Sequence, residues 1–247
     1  MSDWTKHFDD SFWLGRDDMP KEQARFIKGA LGLRKGQHVL DAPCGAGRTA
    51  LALAKLGLAV TGIDMRAQFT SRAKRRFRKE GLPGTFLVRD MRELDFSEEF
   101  DGLVNWCGSF GYFSEAENLD VLRRFARALR PGGRVLIQQV NREDVLRHFR
   151  KTMRKTLPGA VRRGPGQLVT RNRWNPKLER IEGTWTLEMD GKKSRYPMAM
   201  RLYTPGQFKA LFERVGLVPE AVCGGPPHRT AYTRSSRALI AVARKPK

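Results

Sequence analysis

The chain has 247 residues, with 47 Lys and Arg against 26 Asp and Glu, a formal charge of +21, and 40% hydrophobic residues. That apolar share supports a core and excludes wholesale disorder, while no apolar run approaches the roughly 18 residues needed to cross a bilayer. The length suits one domain of about 200 to 250 residues with an insertion. Cys44, Cys107 and Cys223 are too few and too far apart for a disulfide framework or a metal site, and they read as small buried thiols of a reducing compartment. No charged-then-apolar leader opens the sequence, so a soluble, cytoplasmic protein without metal is expected. The excess positive charge fits either a solvated basic surface or contact with nucleic acid.

Residues 1–36 are expected to form an N-terminal helical cap. Trp4, Phe8, Phe12 and Trp13 recur at helical spacing, and a second apolar pattern follows Pro20 through Ala24, Phe26, Ile27, Ala30 and Leu31. Packing onto the core is the expected role of most of them.

Residues 37–141 repeat the βα rhythm of a doubly wound sheet. The short apolar run at 39–42 reads as a buried parallel strand, and 49–56 (TALALAKL) reads as a helix. Between them lie Gly45 and Gly47, which let the backbone approach a ligand seated on a helix N-terminus. Gly45-x-Gly47-x-x-Ala50 satisfies the dinucleotide fingerprint, with Asp64 as a ribose-binding acid. Asp41 tips the balance elsewhere. A carboxylate at the strand end repels a pyrophosphate but attracts the ammonium and sulfonium of S-adenosylmethionine. The spacing D-x-x-x-G-x-G and the run DAPCGAGR resemble the first motif of class I S-adenosylmethionine-dependent methyltransferases.

That resemblance implies a mostly parallel, seven-stranded, Rossmann-like methyltransferase sheet with an inserted antiparallel β lid. Asp41, Ala42 and the Gly45–Gly47 loop would hold the methionine end of the cofactor. The second strand, 58–64, ends at Asp64, about twenty residues beyond the glycines, where a carboxylate can accept both ribose hydroxyls. Met65 is placed against the adenine. The next helix, 66–80, has a thin apolar stripe (Ala67, Phe69, Thr70, Ala73, Phe77) and a strongly basic opposite face. The third strand, 85–89, leads to Asp90-Met91, and in the family the acid here pairs with the adenine amino group while the next amide meets a ring nitrogen. Acids at three successive strand ends, Asp41, Asp64 and Asp90, mark the edge where open α/β sheets bind ligands.

The fourth strand, 100–107, places Asn105 and Trp106 at the methionine end. The loop beyond is not the N/D-P-P-Y/F tetrapeptide used on exocyclic amines of bases. Its wording, NWCGSFGYF, resembles a bacterial group of small-molecule methyltransferases, as HFDDSFW near the N-terminus resembles segments that fold over the cofactor there. Ser109 and Tyr112 are candidate substrate-facing hydroxyls, weighed against a turn serine and a packed tyrosine. An amphipathic helix at 115–129 stops at Arg130-Pro131-Gly132-Gly133, and 134–140 is the fifth strand.

Residues 142–203 interrupt the rhythm. Ten basic residues between Arg142 and Arg173 precede and enter three period-2 stretches, which read as an antiparallel sheet with a hairpin turn at Asp190-Gly191. It resembles the β lid over the acceptor in small-molecule N- and O-methyltransferases. Arg171, Arg173, Arg195 and Arg201 are candidates for an acidic acceptor, weighed against a solvated face. His148 and Tyr112 are the candidates for a general base. Residues 204–247 complete the core sheet, with a helix opened by Thr204-Pro205 and strands at 217–223 and 237–243.

The expected function is methyl transfer by in-line displacement to a nitrogen or oxygen of a small molecule, an anionic one among the candidates. A methyltransferase acting on RNA, an NAD-linked oxidoreductase and a non-catalytic S-adenosylmethionine-binding protein are the alternatives.

Overall fold

The alternation of apolar side chains along each short strand gives both faces of the main sheet something to bury, and helices cover both. The computed structural model describes residues 19–157, 166–189, 191–225 and 230–247. Expectations for Trp4, Phe8, Phe12, Trp13 and Asp190 fall outside these residues. Helix α1 (Lys21–Ala30) precedes β1 (His38–Asp41), α2 (Arg48–Ala54), β2 (Ala59–Asp64), α3 (Ala67–Lys79) and β3 (Thr85–Val88). A 3-10 turn (Met91–Glu93), β4 (Phe100–Asn105), α4 (Glu115–Ala128) and β5 (Leu129–Val140) follow. The insertion holds α5 (Arg142–Arg147), β6 (Thr152–Leu157), β7 (Gly166–Asn175), β8 (Arg180–Met189) and β9 (Lys192–Arg201). Helix α6 (Pro205–Arg214), β10 (Val218–Cys223) and β11 (Ala238–Arg244) close the fold.

The main sheet has seven strands in the order β10-β11-β5-β4-β1-β2-β3. Strands β1 to β5 pair in parallel, and β11 runs antiparallel to both β5 and β10. The chain winds outward from β1 in both directions, which makes the β1/β4 boundary the switch point where such sheets bind ligands. Leu40, Ile63, Leu103, Val135 and Ile137 face one side, with Phe125 of α4 and Phe208 and Phe212 of α6. Val39, Val60, Val104 and Leu136 face the other, with Ile27, Leu53 and Phe77 of α1, α2 and α3. Burying each such side chain contributes about 1.5 to 3 kcal/mol.

The structure corrects several expectations. The fifth strand begins at Leu129 rather than residue 134, because Pro131-Gly132-Gly133 forms an irregularity within it, not a break before it. Cys107 is exposed and has a positive φ, unlike the buried Cys44 and Cys223. The lid sheet has four antiparallel strands, β6-β7-β8-β9, not three. Strand β6, TMRKTL, carries no apolar alternation by which to recognise it, since it pairs along a sheet edge and is exposed throughout 152–156. No helix among the described residues is long and apolar enough to cross a membrane.

Candidate functional site

A cavity of about 160 Å³ opens beyond the C-terminal ends of β1 to β4. The glycine loop forms its floor. Gly45 and Gly47 have φ of +50° and +78°, and a Cβ on Gly47 would lie 2.7 Å from Ala73 Cβ of α3. Glycine is thus required at 47 for both the turn and the close approach of α2 to α3. The loop is held from below by the Ile63 carbonyl, which accepts from Cys44 N at 2.7 Å.

Asp64 ends β2 at the cavity wall, buried to 6% exposure. One carboxylate oxygen accepts from Gly45 N at 3.0 Å and the other from Arg66 N at 2.9 Å. The carboxylate therefore fixes the glycine loop and the entry to α3 while lining the cavity. Asp90 lines it too, and is the N-cap of the 3-10 turn, accepting from Arg92 N at 2.9 Å. The Arg92 guanidinium folds back on both Asp90 oxygens, with Nη2 at 2.7 Å and Nε at 3.1 and 3.2 Å. Met65 and Met91 supply apolar wall beside these two acids, together with Phe69.

Asp41 lies deeper. It is 1% exposed, does not line the cavity, and accepts from Ala50 N of α2 at 3.1 Å. Burial pushes its carboxyl up to about 8, helped by the nearby charge of Asp64 and opposed by the Ala50 hydrogen bond and by Arg48. Burial likewise raises the Cys44 thiol, with Asp41 and Asp64 adding to it. Ala42, Gly47 and Asn105 also sit behind the wall. Asn105 donates to the Ala42 carbonyl at 2.7 Å, and its Oδ1, fully buried, has no partner among the described residues.

The opposite wall is the loop after β4. Trp106, Cys107, Ser109, Tyr112 and Phe113 line the cavity there. Ser109 Oγ donates to the Trp106 carbonyl at 3.0 Å, and Arg48 donates to Cys107 Sγ at 3.6 Å. The loop is clamped from the lid. Arg180 of β8, 3% exposed, donates to the carbonyls of Phe113 at 2.6 Å and Tyr112 at 3.0 Å. Arg201 N donates to the Gly111 carbonyl at 2.8 Å, and a Cβ on Gly111 would lie 2.4 Å from the Arg201 carbonyl oxygen. Gln139 of β5 ties both sides together, donating to the Phe110 and Arg201 carbonyls and accepting from Tyr203 N.

Not every candidate reaches the cavity. Arg201 is buried in ion pairs with Glu179 at 2.5 Å and Glu115 at 3.2 Å. Arg173 pairs with Glu182 at 2.8 Å and Arg171 and Arg195 are exposed; none of the three lines the cavity. His148 is exposed beside Asp144 at the end of α5, with Nδ1 3.0 Å from the Asp144 carbonyl oxygen. Sequence reasoning passed over Arg48, Arg66, Arg89 and Cys107, which line the cavity, and Arg180 behind it. Nothing in a single arginine's sequence context separates these from the many solvated ones.

The donor set fits S-adenosylmethionine. On the cavity wall Asp64 and Asp90 suit a ribose and an adenine edge and Met65, Phe69 and Met91 an aromatic ring, while the Asn105 acceptor and the Asp41 carboxyl lie behind the wall at the methionine end.

A family model described as "Methyltransferase domain" matches residues 39–133. The S-adenosyl-L-methionine-dependent Diels-Alderase iccD of Talaromyces variabilis is 34% identical over 137 residues, covering 53% of this chain and 45% of that protein. The ubiquinone biosynthesis O-methyltransferase of Coxiella burnetii is 28% identical over 108 residues, covering 44% of this chain and 45% of that one. The chain thus spans about half the length of the curated relatives it matches. Among solved structures, the CcbJ methyltransferase of Streptomyces caelestis superposes with a TM-score of 0.75 at 18% identity, over 93% of this chain and 100% of that one. Residues 39–133 thus match a methyltransferase-domain model, and the chain has the fold of class I S-adenosylmethionine-dependent methyltransferases.

Proposed function

We propose that the protein methylates a nitrogen or oxygen of a small acidic molecule, with S-adenosylmethionine as the donor. The observation that carries this reading is one cavity whose wall is shared by the glycine loop, the two strand-end acids and the Trp106–Phe113 loop, with the lid sheet clamped onto that loop. Bound S-adenosylmethionine supplies a sulfonium-activated methyl group. The chain supplies placement and dryness: Trp106 and Phe113 shield the reacting end from water, and Ser109 and Tyr112 face the acceptor. Arg48, which lines the cavity and reaches Cys107 of the loop after β4, is the wall cation on the acceptor side and favours an acceptor bearing a carboxylate or phosphate, whereas Arg66 and Arg89 lie beside Asp64 and Asp90 and Arg89 pairs with Asp95.

Isothermal titration with S-adenosylmethionine, S-adenosylhomocysteine and NAD tests the cofactor, with binding of both adenosyl ligands and none of NAD expected. Transfer of labelled methyl to a panel of acidic amines and phenols tests the reaction. A relative named as a Diels-Alderase shows why label transfer, not substrate turnover alone, must be read. Adenosyl ligands that bind without any acceptor becoming labelled would leave a cofactor-binding protein and defeat the transferase reading.

A further inference from the structure

We propose that the exposed face of α3 is a docking surface for the phosphate backbone of nucleic acid, separate from the cavity. The proposal goes beyond methyl transfer to a small molecule and does not depend on it.

Helix α3, AQFTSRAKRRFRK, buries Phe69, Thr70, Ala73 and Phe77 and contains no acidic residue. On the opposite side Arg72, Arg75 and Lys79 fall at i, i+3 and i+7, one continuous stripe, flanked by Lys74 and Arg78. None of these five cations makes an ion pair among the described residues, and the carboxylate that follows the helix, Glu80, is taken by Lys55 at 2.9 Å. Like charges three and four residues apart repel one another along the stripe. Arg72 is half-buried, and burial first, then Arg76 and Arg75, push its guanidinium below its ordinary range. The helix dipole accounts for cations in the last turn, such as Arg78 and Lys79, but not for Arg72, Lys74 and Arg75.

The stripe runs seven residues, about 10 Å, and so matches about three successive phosphates of one strand. Both aromatic rings of the helix are buried, leaving nothing exposed on which bases could stack, so the contact is to backbone and independent of sequence. The same absence separates nucleic acid from a lipid surface, because none of the exposed large apolar residues lies on α3 and an anchoring helix needs them. The cavity is touched by Arg66 and Phe69, at the start of the helix, and the stripe extends away from it.

The test is fluorescence anisotropy of the full chain with a labelled oligouridine RNA and a mixed-sequence DNA of equal length, across a salt series. The variant Arg72→Gln/Arg75→Gln/Lys79→Gln is compared with Lys151→Gln/Arg154→Gln/Arg171→Gln, which removes equal charge from the lid. The α3 variant is expected to lose tenfold or more in affinity and to lower the salt slope by about 2, three contacts at about 0.7 each. The lid variant should stay within about threefold of wild type. Both should bind S-adenosylmethionine like wild type by calorimetry, and the α3 variant should melt no lower at low salt, its repulsion being relieved. Equal losses in the two variants would overturn the proposal, because binding would then follow total charge. So would a preference for one sequence of more than about tenfold, or binding only to vesicles of anionic phospholipid.

Discussion

Replacing Asp41 by Asn is expected to stabilise the ligand-free protein at neutral pH and to weaken its hold on S-adenosylmethionine. The carboxyl is fully buried and titrates at about 8 rather than 3.8. The folded state therefore keeps a proton that the unfolded state has lost. Stability falls as pH rises from about 4 to about 8, at about 1.4 kcal/mol per pH unit, and is flat above. By pH 7 the accumulated cost is on the order of 4 kcal/mol. For a chain of this size that is about 3 to 5 °C in melting temperature per pH unit. An amide keeps an acceptor for Ala50 N and has nothing to titrate, so the wild-type minus variant difference isolates this one group.

The ligand makes the opposite demand. An ammonium beside Asp41 needs the carboxylate, and at pH 7 about nine-tenths of the sites are protonated. Binding should then release close to one proton per site, read by calorimetry in two buffers of different ionisation heat. Apparent affinity should rise about tenfold between pH 6 and pH 7 and turn over near about pH 8, where the ligand's own α-amino group loses its proton. Melting curves of wild type and Asp41→Asn that stay parallel across pH, with no proton released on binding, would refute the assignment of Asp41 to the cofactor.

Three other substitutions follow from the geometry. In Asp64→Asn the single amide oxygen cannot accept from both Gly45 N and Arg66 N, so about 1 to 2 kcal/mol of stability is lost. S-adenosylmethionine affinity should fall at least tenfold, and near-normal affinity would remove Asp64 from the ribose site. Gly47→Ala forces a side chain into a left-handed turn and against Ala73 Cβ, at a cost of about 2 to 3 kcal/mol, visible as a drop in denaturation midpoint. Arg180→Met removes the donor to the half-buried Tyr112 carbonyl and one of the two donors to the Phe113 carbonyl, costing about 1 to 3 kcal/mol. If its loop is the acceptor wall, acceptor KM rises while the affinity for S-adenosylmethionine moves less than about twofold; equal losses in both would make Arg180 a purely structural residue.

The parallel half of the fold was legible because its strands are short, apolar on both faces and punctuated by glycine, a pattern that few other structures can use. The strand-end acids were legible for a related reason: a carboxylate at the C-terminal end of a buried strand has few uses besides a ligand or a cap. Both acids line the cavity; Asp90 also caps the turn that follows it, while Asp64 accepts from Gly45 N and Arg66 N without capping the helix beyond. The lid was read one strand short because β6 pairs with a single neighbour and exposes its side chains, so period-2 burial leaves no trace in its sequence. The arginines were the least legible. Arg201 and Arg180 look like Arg171 and Arg173 in the sequence, but the first two are buried clamps and the others exposed. Only tertiary packing separates a guanidinium that holds carbonyls from one that meets solvent.

Phe113 shows why those clamps matter. Its ring lines the cavity and lies under the Arg92 guanidinium, 4.3 Å from the ring centroid, and Arg92 in turn grips both oxygens of Asp90. Its carbonyl accepts from Arg180 of the lid and from Asn118 of α4, and its N–H donates to Asn118 Oδ1. One residue thus joins the acid at the end of β3 to the sheet that rises over the opposite wall. Asn118 also meets the Tyr203 hydroxyl, which burial and Glu115 hold well above the ordinary tyrosine range and so keep protonated as a donor. These groups are largely buried and mutually satisfied, and such a network tolerates few alternative arrangements. The lid base, the β4 loop and the Asp90 turn are therefore joined through one hydrogen-bonded network centred on Phe113 and Asn118.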